Sequence, residues 1–75
     1  MHEHGGEEIK KLERGLPYLL KHNREHAEDL KKWIQRAKDG HRDDIADDLQ
    51  RVHELSSEIT SQLESALRKL EGSMK

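Results

Sequence analysis

The sequence KDGHRDD, residues 38–44, separates two long stretches with a helical pattern of apolar residues. Gly40 is typical of a left-handed cap that ends a helix, and His41 lies in the turn. Basic residues precede the glycine, where a helix C-terminus favours cations, and aspartates follow it, where the next N-terminus favours anions. A link this short predicts two antiparallel helices joined as a hairpin.

The first arm has apolar residues spaced alternately three and four positions apart, which is typical of a helix packed along one seam. Asn23 and His26 occupy two seam positions, so we expect Asn23 to be well buried and His26 partly buried. The predicted seam is Ile9, Leu12, Leu16, Leu19, Asn23, His26, Leu30, Trp33 and Ala37. Because Pro17 cannot donate a hydrogen bond to the carbonyl of Glu13, we expect a break at Gly15.

The second arm has the same spacing, which predicts a second long helix. Its predicted seam is Ile45, Leu49, Val52, Ser56, Ile59, Leu63, Ala66 and Leu70. The chain is therefore predicted to be one hairpin over residues 7–72 between short tails. Its predicted parts are a flexible histidine-containing tail (1–6), a short helix (7–14), two long helices (17–38 and 42–71) and a C-terminal tail (73–75).

The antiparallel register predicts opposite charges across the hairpin, with Arg36 facing Asp44 and Lys32 facing Asp48. A single hairpin would leave apolar surface exposed to water, because each arm has further apolar residues beside its predicted seam. These are Leu20, Ala27 and Ile34 in the first arm and Ala46, Leu55 and Leu67 in the second. We therefore expect an all-α homodimer in which two hairpins form a four-helix bundle.

The composition excludes several classes of function. The 75 residues are 40% charged and carry a net charge of −2 with both signs mixed, so nucleic acid is not an expected partner. The chain has no cysteine, which excludes disulfides and thiolate metal sites. No apolar run approaches the roughly 18 residues of a membrane span, so we expect no membrane partner and a cytoplasmic location. A partner protein other than a second copy is left open.

The stretch KHNREHAED, residues 21–29, predicts a metal site. His22 and His26 are four positions apart, so both imidazoles can reach one ion from the same helix face. Without sulfur ligands, Zn, Ni or Co is the expected cofactor, and Glu25 or Asp29 could complete the site or orient an imidazole. A symmetry mate could supply a second pair. Asn23 is interpreted as a core residue that fixes register, with a hydrogen bond to a ligand as the alternative.

Two functional hypotheses follow. The first is a homodimer that binds a divalent transition metal for storage, delivery or sensing. The alternative is a non-catalytic interaction module without metal.

The stretch HNREH also matches H-x-x-E-H of zinc peptidases, but a hairpin of this size lacks a substrate cleft, so no enzyme is expected. His2 and His4 could capture an ion or belong to a disordered end, and His53 is expected at a hydrated helix edge.

The stretch LLKHNREHAEDLKKW, followed by AKDG and an acidic second helix, carries a resemblance. It is similar to small uncharacterised prokaryotic helical-hairpin proteins that have an H-N-x-x-H-A core. The resemblance covers roughly residues 16–55. It implies a helical hairpin and assigns no functional residue.

Overall fold

The computed structural model describes residues 3–73 and contains two helices joined by a short turn. Helix α1 spans Glu3–Asp39 and helix α2 spans Asp43–Ser73. They pack against each other along a rod with extents of 61 × 16 × 14 Å. The predicted all-α hairpin is confirmed. Of the predicted tails, residues 1–2, the side chain of His4 and residues 74–75 lie outside the described part.

Helix α1 is continuous through Pro17, so the predicted break and the separate short helix over 7–14 are wrong. The helix also begins at Glu3, inside the segment that was predicted as a tail. A proline in a helix interior costs about 3 kcal/mol because it removes a hydrogen bond and crowds the preceding turn. Leu16 is half-buried and Leu20 is buried, so contact with α2 holds the helical backbone close to the proline.

His41 is the left-handed residue of the turn, whereas Gly40 was predicted to be. His41 has a positive φ of 61°, whereas no described glycine has one. The amide of Arg42 donates to the carbonyl of Ala37 (2.9 Å), and the amide of His41 donates to that of Lys38 (3.0 Å). This pair of bonds is a Schellman motif, which closes a helix with one left-handed residue. Histidine is among the few residues other than glycine found in this conformation more often than average.

The buried stripe overlaps the predicted one only in part. Nine predicted seam residues are buried or half-buried, namely Leu16, Asn23, Leu30, Ala37, Leu49, Ser56, Leu63, Ala66 and Leu70. Leu20 and Ile34 are 7% exposed, whereas the predicted seam residues Leu19 and Trp33 are 47% and 54% exposed. The seam observed on α1 is Leu16, Leu20, Asn23, Ala27, Leu30, Ile34 and Ala37, all buried or half-buried. The facing seam on α2 is Ala46, Leu49, His53, Ser56, Thr60, Leu63, Leu67 and Leu70. The seam therefore combines leucines and isoleucine with small and polar residues, while Leu19, Trp33, Val52 and Ile59 stay outside it.

The turn carries a local ion pair where a cross-hairpin pair was predicted. Nε and Nη2 of Arg42 each donate to one carboxylate oxygen of Asp44, and these bonds lower the pKa of Asp44 and raise that of Arg42. Arg36, the predicted partner of Asp44, lies over the ring of Trp33 at 4.6 Å from its centroid. A cation in this position is attracted to the face of the indole.

The left-handed residue provides a test of the turn. We expect His41→Gly to raise the free energy of unfolding by about 1 kcal/mol, because glycine has no Cβ to strain at positive φ. Gly40→Ala should not lower it, since an added Cβ would lie 3.4 Å from the nearest atom, the carbonyl oxygen of Arg36. Urea denaturation measures both. Destabilisation by Gly40→Ala with no gain from His41→Gly would place the left-handed position at residue 40.

The continuity of α1 provides a second test. We expect Pro17→Ala to raise the free energy of unfolding by up to about 3 kcal/mol, since alanine restores the missing hydrogen bond. Gly15→Ala should add about 1 kcal/mol, because its Cβ would meet no atom within 4 Å. Thermal denaturation by circular dichroism measures both variants. A neutral Pro17→Ala would instead show that the proline opens a new helix, where its ring is tolerated.

Candidate functional site: a histidine pair on an exposed apolar face

Large apolar side chains line one side of the hairpin and face solvent. They recur every seven residues on each helix, and each is at least 40% exposed. We call them the apolar face: Leu12, Leu19 and Trp33 of α1 with Ile45, Val52 and Ile59 of α2. With about 100° per residue, they lie 70–80° or so round from the seam of their own helix. Because the helices are antiparallel, both sets turn to the same side of the hairpin.

His26 occupies the one position of the α1 series that is not apolar, between Leu19 and Trp33. Its side chain is exposed, so the prediction that it would be partly buried is wrong. The Nε2 atoms of His26 and His22 are 3.0 Å apart, and the two rings meet edge to face with centroids 4.4 Å apart. Tyr18 stacks on the other side of His22, with ring centroids 5.7 Å apart and planes 11° from parallel. Three aromatic rings therefore form a row beside the apolar face.

The distance between the two histidines fits two kinds of bond. One imidazole can donate a hydrogen bond to the other when both are neutral. The same two atoms can also bind one ion, since neighbouring ligands of a tetrahedral zinc ion lie about 3.4 Å apart. Ligation through Nε2 leaves both Nδ1 atoms to carry the protons, so no charged form is required. The pair could therefore share one hydrogen bond or supply two ligands to one ion.

The predicted carboxylate ligands do not join this pair. Glu25 and Asp29 are both exposed. Within residues 3–73, no three histidine or carboxylate side chains are grouped so that they could hold an ion. His53 is half-buried and lines a groove on the opposite side of the hairpin from the pair. The described part of one chain thus offers two ligands at this site.

Asn23 joins the two helices and lies between the histidines in sequence. Its amide nitrogen donates to the carbonyl of Ser56 (2.9 Å) and to the hydroxyl of Thr60 (2.6 Å). Its amide oxygen accepts from the hydroxyl of Ser56 at 3.4 Å. These bonds cross the seam and support the interpretation of Asn23 as a register residue. Among the described residues, no buried side-chain nitrogen or oxygen lacks a partner.

A second interhelical bond supports the same register. Arg24 pairs with Glu64 on the exposed flank of the hairpin. Exposed pairs contribute up to about 1 kcal/mol, so this bond adds less than the partly buried amide of Asn23. Together the Asn23 bonds and the Arg24–Glu64 pair fix the axial register of α1 relative to α2.

The comparison with known protein families gives one match. Residues 12–70 match the family described as Domain of unknown function (DUF8180). The chain belongs to this family. The match spans the seam, the turn and the apolar face, including both members of the histidine pair. No curated protein and no solved structure matches the chain. Neither described helix has an apolar stretch long enough to cross a bilayer.

The apolar face was present in the sequence but was assigned to the wrong role. Leu19, Trp33, Val52 and Ile59 were placed in the seam because they fit a three-and-four spacing. Two stripes share that spacing, and on α1 they have Leu16, Asn23, Leu30 and Ala37 in common. The hydroxyl of Thr60, which belongs only to the buried stripe and bonds to Asn23, was the signal that could have identified it.

The Asn23 bonds provide a third test. Asn23→Asp keeps the shape of the side chain but replaces the donating nitrogen with an oxygen that faces the carbonyl of Ser56. We expect the free energy of unfolding at neutral pH to fall by about 1–3 kcal/mol. Asp29→Asn is the matched control, because it makes the reverse exchange at an exposed position. Equal effects of the two substitutions in urea denaturation would show that the register does not depend on Asn23.

Proposed function

We propose that the protein is a self-associating helical module in which two hairpins pack through their apolar faces as a four-helix bundle. The observation that carries the proposal is the accessible surface of one chain, 6041 Å². A compact folded monomer of 8.8 kDa exposes about 4,800 Å². One hairpin therefore leaves about 1,200 Å² more in water than its mass requires. A standard protein interface buries about 800 Å² per partner, so a second copy would cover most of the excess.

The interior of one hairpin also supports association. Among the described residues, only four apolar side chains are buried: Leu20, Ile34, Ala46 and Leu70. A chain of this size with so small a core rarely stabilises itself without disulfides, a metal or a partner. Burying a fully exposed leucine, isoleucine or tryptophan contributes about 1.5–3 kcal/mol. Packing the half-exposed apolar face against another copy would therefore add substantially to the apolar burial of the hairpin.

The length of the apolar face favours a second copy over a shorter partner. On α1 it extends from Leu12 to Trp33, which spans about 32 Å of helix. On α2 the series Ile45, Val52 and Ile59 spans about 21 Å, beside roughly residues 21–35 of α1. A second hairpin carries two stripes of the same lengths and spacing, so it can cover both. A single short helix would leave one stripe in water.

In this proposal the chain acts by assembly and not by catalysis. Metal binding is a second candidate function, and the 3.0 Å separation of the His22 and His26 nitrogens is the observation that favours it. The two functions are compatible, since the pair borders the face through which the copies would meet.

Mass and surface variants test the proposal. We expect sedimentation equilibrium at micromolar concentration, in the presence of a chelator, to give twice the chain mass. Leu19→Glu and Ile59→Glu should each weaken the dimer by at least about tenfold, because a carboxylate would be buried in the apolar interface. Ser57→Glu is the matched control, since it places the same charge on the opposite side of α2.

Trp33 gives a second readout, because it is the only tryptophan and lies in the apolar face. Its emission should shift to longer wavelength on dilution as the indole becomes exposed. A cooperatively folded monomer at micromolar concentration would contradict the proposal. A dimer that Ser57→Glu disrupts and Leu19→Glu does not would place the interface on the other side of the hairpin.

A further inference from the structure

The histidine pair lies at the midpoint of the apolar face. The α1 stripe runs from Leu12 to Trp33, and its centre falls between His22 and Asn23. His22 is therefore about 1 Å from the midpoint along the helix axis, and His26 is about 5 Å from it. Because the pair lies near the centre of the stripe, a twofold axis through that centre would bring the histidine pairs of two copies together.

Two hairpins can stack face to face around a twofold axis in two ways. If the axis is perpendicular to the helices, α1 packs antiparallel on the α1 of the other copy. Full overlap of the α1 stripes of the two copies then requires the axis to pass through the midpoint of that stripe. The histidine pairs of both copies meet there, with their centres about 4–5 Å apart along the helices. If the axis is parallel to the helices, α1 instead packs on the α2 of the other copy.

The chemistry of the interface favours the perpendicular axis. With the parallel axis, His26 would face the apolar side chains of α2 at its own height, Val52 and Ile59. Burying an imidazole against such groups removes it from water without supplying a partner. With the perpendicular axis, each pair faces the other pair, so every imidazole is close to groups that can bind the same ligand. The stacking of Tyr18 on His22 also limits the rotation of that ring before the copies meet.

We propose that a divalent transition-metal ion binds at the twofold axis, held by the Nε2 atoms of His22 and His26 from both copies. This inference rests on the proposed dimer. Four imidazoles without sulfur suit Zn(II), Co(II) or Ni(II), and a tetrahedral arrangement suits the first two. Because each chain supplies only half of the ligands, the ion binds the dimer more tightly than the monomer. Metal binding therefore strengthens the association of the two copies.

Metal titration is the first experiment. The protein is stripped with a chelator and carries His2→Ala and His4→Ala, so that the N-terminal histidines cannot bind the added ion. We expect one Zn(II) per two chains by calorimetry, the visible absorption of tetrahedral Co(II), and a dimer dissociation constant lowered at least about tenfold by zinc. His22→Gln and His26→Gln should each abolish these effects. His53→Gln, on the opposite groove, should keep them.

The outcomes separate the inference from the proposed function. A dimer that forms in chelator but binds no ion more tightly than about 10 μM would overturn the metal site and leave the dimer standing. One ion per chain, or zinc binding that survives His22→Gln, would also overturn it. A protein that is monomeric with and without zinc would overturn both proposals. Circular dichroism of each variant confirms that the exposed histidines were replaced without unfolding the helices.

Spin labels test the direction of the dimer independently of the metal. The chain has no cysteine, so Glu25→Cys and Lys32→Cys each give one label on the same outward line of α1. With the perpendicular axis, the two copies' labels are separated along the helices by about 8 Å at residue 25 and about 28 Å at residue 32. With the parallel axis, the two positions give similar distances. Equal distances would therefore overturn the shared site.

Discussion

The hydrogen bonds from Asn23 to Ser56 and Thr60 are the constraint on which the rest of the hairpin depends. On α1 the predicted and observed stripes share Leu16, Asn23, Leu30 and Ala37 and differ elsewhere. A partly buried amide must find partners, and the hydroxyl of Thr60 lies opposite Asn23 only when the observed stripes face each other. The amide therefore favours the observed stripe as the seam and leaves the apolar face outside it.

The sequence predicted the hairpin because its strongest signals are local and repeated. Heptad spacing, the short polar link and the charges at the helix ends all indicate the same topology. It failed at three places. At two of them contacts between residues distant in sequence outweigh local preference: packing of Leu16 and Leu20 carries the helix past Pro17, and the Asn23–Thr60 bond favours one of two possible stripes. At the turn the sequence offered two candidates, and the local Schellman bonds place His41 and not Gly40 in the left-handed conformation.

At the candidate site the sequence predicted the histidine pair but not the position of the carboxylates relative to it. A spacing of four brings His22 and His26 together on any helix, and the structure places their nitrogens 3.0 Å apart. Glu25 and Asp29 are close in sequence to the pair, but within the described residues no carboxylate joins the two histidines as a third ligand. In the proposed dimer the remaining ligands would be the same two residues of the other copy, so the sequence would show no additional motif for them.

The hairpin topology also fixes where the chain ends lie. Residues 3 and 73 are at the same end of a rod 61 Å long, and the turn at His41 is at the other end. Two copies related by a perpendicular axis would point these ends in opposite directions. Anything joined to either end of the chain would then be held some 60 Å from its counterpart, a distance set by the length of α1 and not by a flexible linker. The assembly would act as a rigid spacer whose reach changes by about 3 Å for each residue added to both helices between the histidine pair and the chain ends, because both copies lengthen.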